Sequence, residues 1–217
     1  MVVDAIIFDV DGTLALFPID WDFVVAAIRK EFCTANSFLG FVNKCFGTDS
    51  FWRIHKILTE IELKSIEKLI VFDSSPKIVS SLCKFHSIGF VTMQSRDACF
   101  QALKKLGVDW CTKAVVTRED ARNRFEQIAK AVKILGVKPQ KALFIGDKIL
   151  DVFAAYVNGL KAILVARNAK SFKISDTDDI EEDLEVLEIP IAHSLSEAVE
   201  VASRLGWVVK PGFDKGF

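Results

Sequence analysis

The chain has 217 residues, of which 51% are hydrophobic and 26% charged, with a formal net charge of −1. This is the composition of a globular protein, and no apolar run approaches the length of a membrane span, so we expect no membrane partner. The five cysteines show no CxxC spacing, which predicts reduced thiols in a cytoplasmic protein. Acidic residues near the N-terminus argue against a signal peptide.

The first predicted element is a strand over residues 3–9 that is apolar up to Asp9. Such a run is typical of a strand buried on both faces of a parallel sheet. The following residues, 15–73, contain no convincing strand. Their apolar residues instead recur at helical spacing, first in a stripe formed by Trp21, Val24, Val25, Ile28 and Phe32, and then over 38–46 and 49–69.

We interpret residues 15–73 as a helical insertion with a small apolar core of its own. The stretch FDSSP, residues 72–76, is the predicted return hinge, and Ser74 or Ser75 is expected to cap the next helix. The insertion divides the chain into a core domain of residues 1–14 and 74–217 and a cap domain of residues 15–73.

Strands and helices alternate after the hinge. Predicted strands lie at 88–92, 113–117, 142–145, 161–166 and 189–192. Predicted helices between them end at Gly107, Gly136 and Gly159, and a last helix spans 195–205. Residues 176–188 are acidic and predict a surface loop or an irregular helix. This alternation indicates an α/β fold with a doubly wound parallel sheet.

Polar residues follow the ends of the predicted strands. They are Asp9 and Asp11, Thr92, the segment Thr117–Asp120, and Asp147 with Asp151. Because the carboxyl ends of parallel strands meet at one sheet edge, these side chains should converge there. Carboxylates this close repel one another unless a cation lies among them, and an all-oxygen ligand set favours Mg²⁺ over zinc. A solvated Asp-Gly turn is the alternative for residues 9–12, but no second alternating strand follows to complete a hairpin.

Three motifs resemble those of the haloacid dehalogenase superfamily, specifically its phosphatases with a helical (C1-type) cap after the first strand. DVDGT contains Asp9 and Asp11, GFVT contains Thr92, and GDKILD contains Asp147 and Asp151. The resemblance covers essentially the whole chain and implies a Rossmann-like core. The chain is similar to phosphoglycolate phosphatases in particular. This similarity implies a small phosphorylated metabolite as the partner and a monomer or homodimer as the assembly.

The resemblance also implies a role for each matched residue. Asp9 is the nucleophile and Asp11 the general acid and base, while Thr92 binds the phosphoryl group. The implied Mg²⁺ ligands are Asp9, Asp11 through its main-chain carbonyl, Asp147 and Asp151, with Asp151 on the ion or beside it.

The third-motif cation is less well matched. Related phosphatases often carry Lys-Pro-x-Pro-Glu before the helix that precedes the fourth motif, whereas this chain has RNRFEQI. Aligning Glu126 with the Glu of that motif places Arg122 on the phosphate. Arg124 and Lys148 are the alternatives.

Other activities stay open from the sequence. A phosphomutase could use the same site, and a non-catalytic binding protein could keep the fold. A dehalogenase would need neither Asp11 nor Asp147. Residues 76–173 are basic and residues 174–203 are acidic, which we interpret as two surface faces of opposite sign. The basic stretch is also compatible with an anionic substrate or with weak nucleic-acid attraction, but without a nucleic-acid-binding motif we expect no nucleic-acid partner. Candidate cap contacts to substrate are Arg53, His55 and Lys56, with a solvated helix face as the alternative reading.

Overall fold

The computed structural model describes residues 1–31, 37–72, 74–167 and 188–209, and for residues 30 and 31 the backbone alone. The strands are β1 (Ala5–Asp9), β2 (Ala15–Leu16), β3 (Ile70–Val71), β4 (Ser87–Val91), β5 (Thr112–Val116), β6 (Ala142–Gly146), β7 (Lys161–Val165) and β8 (Ile191–Ala192). The helices are α1 (Trp21–Glu31), α2 (Phe38–Cys45), α3 (Asp49–Ser65), α4 (Ser75–Leu82), α5 (Arg96–Leu106), α6 (Arg124–Leu135), α7 (Ile149–Val157) and α8 (Leu195–Arg204). Short 3₁₀ turns span Ile66–Lys68, Asp109–Cys111 and Pro139–Lys141.

Six strands form one parallel sheet in the order β5-β4-β1-β6-β7-β8. Helices α4, α5 and α8 pack on one face, and α6 and α7 pack on the other. The predicted doubly wound α/β fold is confirmed. Every residue of β1 is buried, with Ile6 and Phe8 in one apolar layer and Ile7 in the other. This explains the unbroken apolar run, because successive side chains in a strand point to opposite faces.

The predicted strands and helices after residue 74 occur close to their expected positions. Helices α5 and α6 end directly before Gly107 and Gly136, as predicted. Gly136 has a φ of 67°, the left-handed conformation that ends a helix and that favours glycine. The acidic stretch predicted as a surface loop lies outside the described residues apart from residue 188.

Helices α1–α3 have their own apolar core, as predicted for the insertion. It contains Val24, Ile28, Phe41, Val42, Phe51, Ile54 and Leu58. Phe32, the last residue of the predicted stripe, lies outside the described residues. We refer to α1–α3 as the cap helices.

The expectation that residues 15–73 contain no strand is wrong. Strands β2 and β3 pair antiparallel, with Ala15 opposite Val71 and Leu16 opposite Ile70. They form a ribbon where the chain enters and leaves the cap helices. Two residues per strand are too few for an alternating pattern to show in the sequence.

The predicted serine cap of α4 is confirmed in position but not in its hydrogen bond. Ser74 occupies the N-cap position, but its side chain makes no capping hydrogen bond. The Ser75 hydroxyl instead donates to the carbonyl of Leu14 at 2.8 Å. The Phe72 amide donates to the same carbonyl at 3.0 Å, so both serve the junction between the sheet and the cap helices.

Cys45, Cys83, Cys99 and Cys111 are free thiols, as predicted, and Cys33 lies outside the described residues. Within the described ranges, no helix is long and apolar enough to cross a membrane.

Candidate active site

Strand β1 lies between β4 and β6 and delivers Asp9 to the carboxyl edge of the sheet. Asp9 is buried, and burial raises its pKa well above the ordinary value although Arg124 opposes the shift. The chain then turns through Gly12, whose φ is 92°. A Cβ at Gly12 would overlap the carboxylate of Asp147. Glycine is therefore required here both by the backbone conformation and by the close approach of Asp147.

Asp147 and Asp151 complete the acidic side of this edge. Asp147 directly follows β6, and Asp151 lies in the first turn of α7. Burial raises the pKa of Asp147 to about 6, with Asp151 and Asp11 adding to the shift and Lys148 opposing it. One oxygen each from Asp9, Asp147 and Asp151 lies within 4.8 Å of the other two.

Each of these three residues also has a buried side-chain oxygen that lacks a hydrogen-bond partner. These oxygens are Oδ2 of Asp9, Oδ1 of Asp147 and Oδ2 of Asp151. In the described part of the chain, the remaining buried side-chain atoms without a hydrogen bond are the Thr13 hydroxyl and Nε of Arg124, which forms an ion pair with Asp151. Buried polar atoms are normally satisfied, and three facing carboxylates are the ligands that a hard divalent cation prefers. The residues present therefore fit a Mg²⁺ ion.

Arg124 lies against the same carboxylates. Its Nη2 donates to Oδ1 of Asp9 at 2.7 Å, and its Nε lies 3.0 Å from Oδ1 of Asp151. Although burial alone would lower it, Asp151 and Asp9 raise the pKa of Arg124 above its ordinary value. We call Asp9, Arg124, Asp147 and Asp151 the Arg124 cluster.

Gln127, one turn further along α6, fixes the guanidinium group of Arg124. Its Oε1 accepts from Nη1 of Arg124 at 2.8 Å, and its Nε2 donates to the Thr92 carbonyl at 2.7 Å. The side chain thus connects Arg124 to the end of β4.

The geometry does not support Arg122 as the cation beside Asp9. Its Nε pairs with Oε1 of Glu126 at 2.7 Å, and its side chain is 56% exposed. Asn123 is the N-cap of α6 and accepts from the Glu126 amide, so Arg124 is the first helical residue. The spacing of Asn123 and Glu126 is that of a capping box, a sequence signal that would have indicated where the helix begins. The Lys148 side chain also lines the site, beside Asp147.

Asp11 is held by two donors. The Phe17 amide donates to its Oδ1 at 2.9 Å, and Nε2 of Gln94 donates to its Oδ2 at 3.0 Å. Burial raises the pKa of Asp11, although both hydrogen bonds oppose the shift. A carboxyl group with a raised pKa retains a proton more readily, as proton donation to a leaving group requires.

Thr92 follows β4 as predicted and is buried. Its hydroxyl donates to the side-chain Oε1 of Gln94, and the main-chain amide of Gln94 donates back to the hydroxyl at 3.2 Å. Contact between Thr92 and a phosphoryl group therefore requires the hydroxyl to exchange Gln94 for a phosphoryl oxygen. Gln94 was not expected from the sequence, because a single Gln two residues beyond a strand carries no distinguishing signal.

A cavity of about 370 Å³ opens from Asp9 and Asp11 toward the cap helices. Its apolar wall consists of Trp21, Val25, Phe38, Leu39, Met93, Phe125 and Leu150. The candidate contacts Arg53, His55 and Lys56 do not line it. The cap residues that do so lie in α1 and at the start of α2. Trp21 packs against the cap's own core, as expected, and also lines the cavity, whereas Val25 had been expected in that core.

The Thr117–Asp120 segment lies away from the cavity lining. Glu119 and Asp120 instead accept from the amide and the guanidinium of Arg96 at 2.8 and 2.5 Å. The Thr117 hydroxyl donates to Oε2 of Glu119 at 2.6 Å. The expectation that all strand-end acids share one site is wrong for this segment.

A second buried arginine connects the cap helices to the sheet. Nη1 of Arg118 donates to Oε1 of Glu62 at 2.6 Å and to the Met93 carbonyl at 2.7 Å. Both oxygens of Glu62 are satisfied, because Oε2 accepts from Nη2 of Arg118 and from the Ser95 amide. Nε of Arg118 donates to Nδ1 of His55 at 3.3 Å. We call His55, Glu62 and Arg118 the Arg118 cluster; its members are too far apart in sequence for a local pattern to reveal them.

The family model for haloacid dehalogenase-like hydrolases matches residues 6–165, a range that contains Asp9, Asp11, Asp147 and Asp151. The chain belongs to this family of hydrolases. It is 24% identical to pyrophosphatase PpaX of Bacillus cereus, a match that covers 78% of this chain and 86% of the relative.

Solved structures share the fold of this hydrolase. A HAD phosphatase from Thermococcus onnurineus has a TM-score of 0.62 and 20% identity, over 95% of this chain and all of that one. L-2-haloacid dehalogenase from Xanthobacter autotrophicus has a TM-score of 0.57 and 14% identity, over 93% and 98%. Because the same fold carries both chemistries, the choice between them depends on the site residues.

Proposed function

We propose that this hydrolase is a Mg²⁺-dependent phosphatase that cleaves a small phosphate monoester through an aspartyl-phosphate on Asp9. The observation that carries the proposal is the Arg124 cluster, in which Asp9, Asp147 and Asp151 lie close together beside a buried arginine and each has a buried oxygen without a hydrogen-bond partner. Phosphoryl transfer depends on positioning and charge neutralisation, which this arrangement provides.

Asp9, Asp147 and Asp151 would hold the metal ion, with the main-chain carbonyl of Asp11 as the further ligand implied by the family resemblance. When bound, Mg²⁺ supplies positive charge that offsets the charge on the phosphoryl oxygens. Arg124, rather than Arg122, would be the fixed protein cation, because it already contacts the nucleophile. Lys148 and Thr92 would contact the phosphoryl group from the other strand ends.

The chemistry then has two steps. A carboxylate oxygen of Asp9 forms a bond to phosphorus while the bond to the leaving oxygen breaks, and Asp11 donates its proton to that oxygen. The ionised Asp11 next removes a proton from a water molecule, whose oxygen attacks phosphorus. Asp9 is released, and inorganic phosphate leaves.

The cap helices would close the site over the substrate. We propose residues 15–73 as the cap domain and residues 1–14 and 74–217 as the core domain. The separate apolar core of the cap helices and the adjacent chain crossings at β2 and β3 support this division. Closed over the cavity, the cap helices would exclude water from the intermediate.

The site residues favour a phosphatase over a dehalogenase. Displacement at carbon needs no proton donor two residues after the nucleophile and no metal, whereas Asp11 is held in place and Asp147 faces two other carboxylates. The test measures phosphate release from p-nitrophenyl phosphate with Mg²⁺, after chelation, and after Mg²⁺ is restored. We expect activity that is lost and then regained, and no chloride release from 2-chloropropionate. Chloride release without metal, in place of phosphatase activity, would overturn the proposal.

A further inference from the structure

The wall of the cavity opposite the acidic edge is apolar. Trp21 and Val25 of α1 and Phe38 and Leu39 of α2 form the cap side, while Phe125 and Leu150 continue it on the core side. The rings of Trp21 and Phe38 pack at 5.1 Å between centroids. A substrate bound with its phosphoryl group at Asp9 would place its leaving group against this surface.

The charged groups of the lining come from the core side and most already have partners. Arg124 pairs with Asp9 and Asp151, and Arg122 pairs with Glu126. Lys148 lies next to Asp147, near the expected position of the phosphoryl group. Among the described residues, the cap side contributes no charged side chain to the cavity.

The polar groups of the lining are largely engaged as well. Gln94 is hydrogen bonded to Thr92 and Asp11, and Asn123 caps α6 while its Nδ2 donates to Asn43 at 3.4 Å. Among the described residues of the cap side, the polar lining residue is Ser37, whose Oγ accepts from the Gly40 amide at 3.1 Å. A second anionic group placed against the cap side would therefore meet an apolar wall without a counter-ion there, which costs free energy.

We propose that the leaving group of the substrate is uncharged and apolar, either aromatic or branched aliphatic. This inference rests on the proposed phosphatase function and specifies its substrate class. It sets the protein apart from enzymes whose substrate carries a second negative charge, as pyrophosphate does. Apolar contact with Trp21 and Phe38 supplies binding in proportion to the buried area, and their rings suit an aromatic group.

The test compares two aryl phosphates of similar size, 4-methylphenyl phosphate and 4-carboxyphenyl phosphate, with pyrophosphate as the third substrate. We expect kcat/KM for 4-methylphenyl phosphate to exceed the other two by about 30-fold or more. The carboxyl group makes the phenolate a better leaving group, so intrinsic reactivity works against this ranking. Equal or faster turnover of 4-carboxyphenyl phosphate or pyrophosphate would overturn the proposal.

Variants of the wall separate recognition from simple water exclusion. Trp21→Ala should raise KM for 4-methylphenyl phosphate about tenfold and change 4-carboxyphenyl phosphate less than about twofold. Phe23→Ala on the same helix is the matched control, because Phe23 is 68% exposed and does not line the cavity. Leu39→Lys places a cation at the cavity edge and should shift the preference toward 4-carboxyphenyl phosphate. Equal losses on both substrates in Trp21→Ala, together with an unchanged preference in Leu39→Lys, would contradict substrate recognition by this wall.

Phosphate release from p-nitrophenyl phosphate is measured first on the full-length wild-type chain with Mg²⁺. Its absence contradicts the proposed function and this inference together. Its presence with the opposite substrate ranking contradicts this inference alone.

Discussion

Among the described residues, two arginines are buried, and their surroundings differ in one respect. Arg118 and Glu62 form a pair in which both carboxylate oxygens of Glu62 accept hydrogen bonds. Arg124 lies among three carboxylates that each keep an unsatisfied buried oxygen. The pair satisfies its own polar groups, whereas the unsatisfied oxygens are available to a ligand such as the proposed metal ion. The comparison distinguishes a buried ion pair that joins two parts of a fold from one that belongs to a site.

The largest effect on activity should come from Asp9→Asn. The amide cannot attack phosphorus, so kcat for p-nitrophenyl phosphate should fall by ~10⁴-fold or more. Removing one of several crowded carboxylates should leave the free energy of unfolding unchanged or slightly increased. Urea unfolding and steady-state kinetics check the two parts. Turnover near the wild-type rate in a pure Asp9→Asn preparation would refute Asp9 as nucleophile.

The opposite result is expected in the Arg118 cluster. Arg118→Met leaves Glu62 buried without its partner and should lower the free energy of unfolding by about 3–5 kcal/mol. Arg118→Met with Glu62→Leu should regain most of this stability, because the unpaired charge is gone. Arg96→Met is the control, since the Arg96–Asp120 pair is partly exposed and should be worth less than about 1 kcal/mol. If Arg118→Met lowers the free energy of unfolding no more than Arg96→Met does, the Arg118–Glu62 pair is not a structural link of the kind described.

The two candidate cations of the third motif give a direct contrast. Arg124→Ala should lower kcat/KM by ~100-fold, the scale of losing one electrostatic contact at a transition state. Arg122→Ala should change it less than about threefold, because Arg122 pairs with Glu126 on the surface. Substitution of both residues in otherwise identical chains, assayed on p-nitrophenyl phosphate, checks the assignment. The reverse ranking would restore the alignment based on Glu126.

We expect Mg²⁺ to raise the free energy of unfolding by binding at the Arg124 cluster and not at the other acidic residues. With 10 mM Mg²⁺ and a Kd of ~1 mM, linkage predicts about 1.4 kcal/mol of added stability. A thermal-shift measurement should show this gain in the wild type and in Glu119→Gln, and should not show it in Asp147→Asn. An equal shift in Asp147→Asn would mean that the ion binds elsewhere.

The smallest effect concerns the pH dependence of stability. Burial and Arg118 lower the pKa of His55, although Glu119 and Glu62 oppose the shift, so folding favours the neutral ring. The unfolded chain takes up this proton near its ordinary pKa of about 6.5. Stability from neutral His55 is therefore complete above that pH and is lost as the pH falls below it. His55→Gln should lose less stability than the wild type between about pH 7 and about pH 5 in urea titrations, and parallel curves would contradict this.

The sheet and its acidic edge could be predicted because strand ends are local features of the sequence. Asp9, Asp11, Asp147 and Asp151 each follow an apolar run or a helix start, and the parallel topology then brings them together. Choosing between Arg122 and Arg124 required the position of the α6 N-cap, which depends on the side chain of Asn123.

The cap side was less predictable for a different physical reason. An apolar stripe on a helix shows that the helix packs against something, but not which part of the stripe faces a cavity. Val24 and Ile28 lie in the cap core, Val25 lines the cavity, and Trp21 does both. The link between Glu62 and Arg118 joins residues 56 positions apart, and no local pattern records it.

The ribbon formed by β2 and β3 bears on how a gene for this fold can evolve by recombination. The chain departs from the sheet at Leu14 and returns at Phe72, whose amide donates to the Leu14 carbonyl. Because departure and return are side by side, the intervening segment can be exchanged by recombination with only two junctions to refit. Under the proposed function, such an exchange would replace the cap side of the cavity in a single genetic event and leave Asp9 and the sheet unchanged.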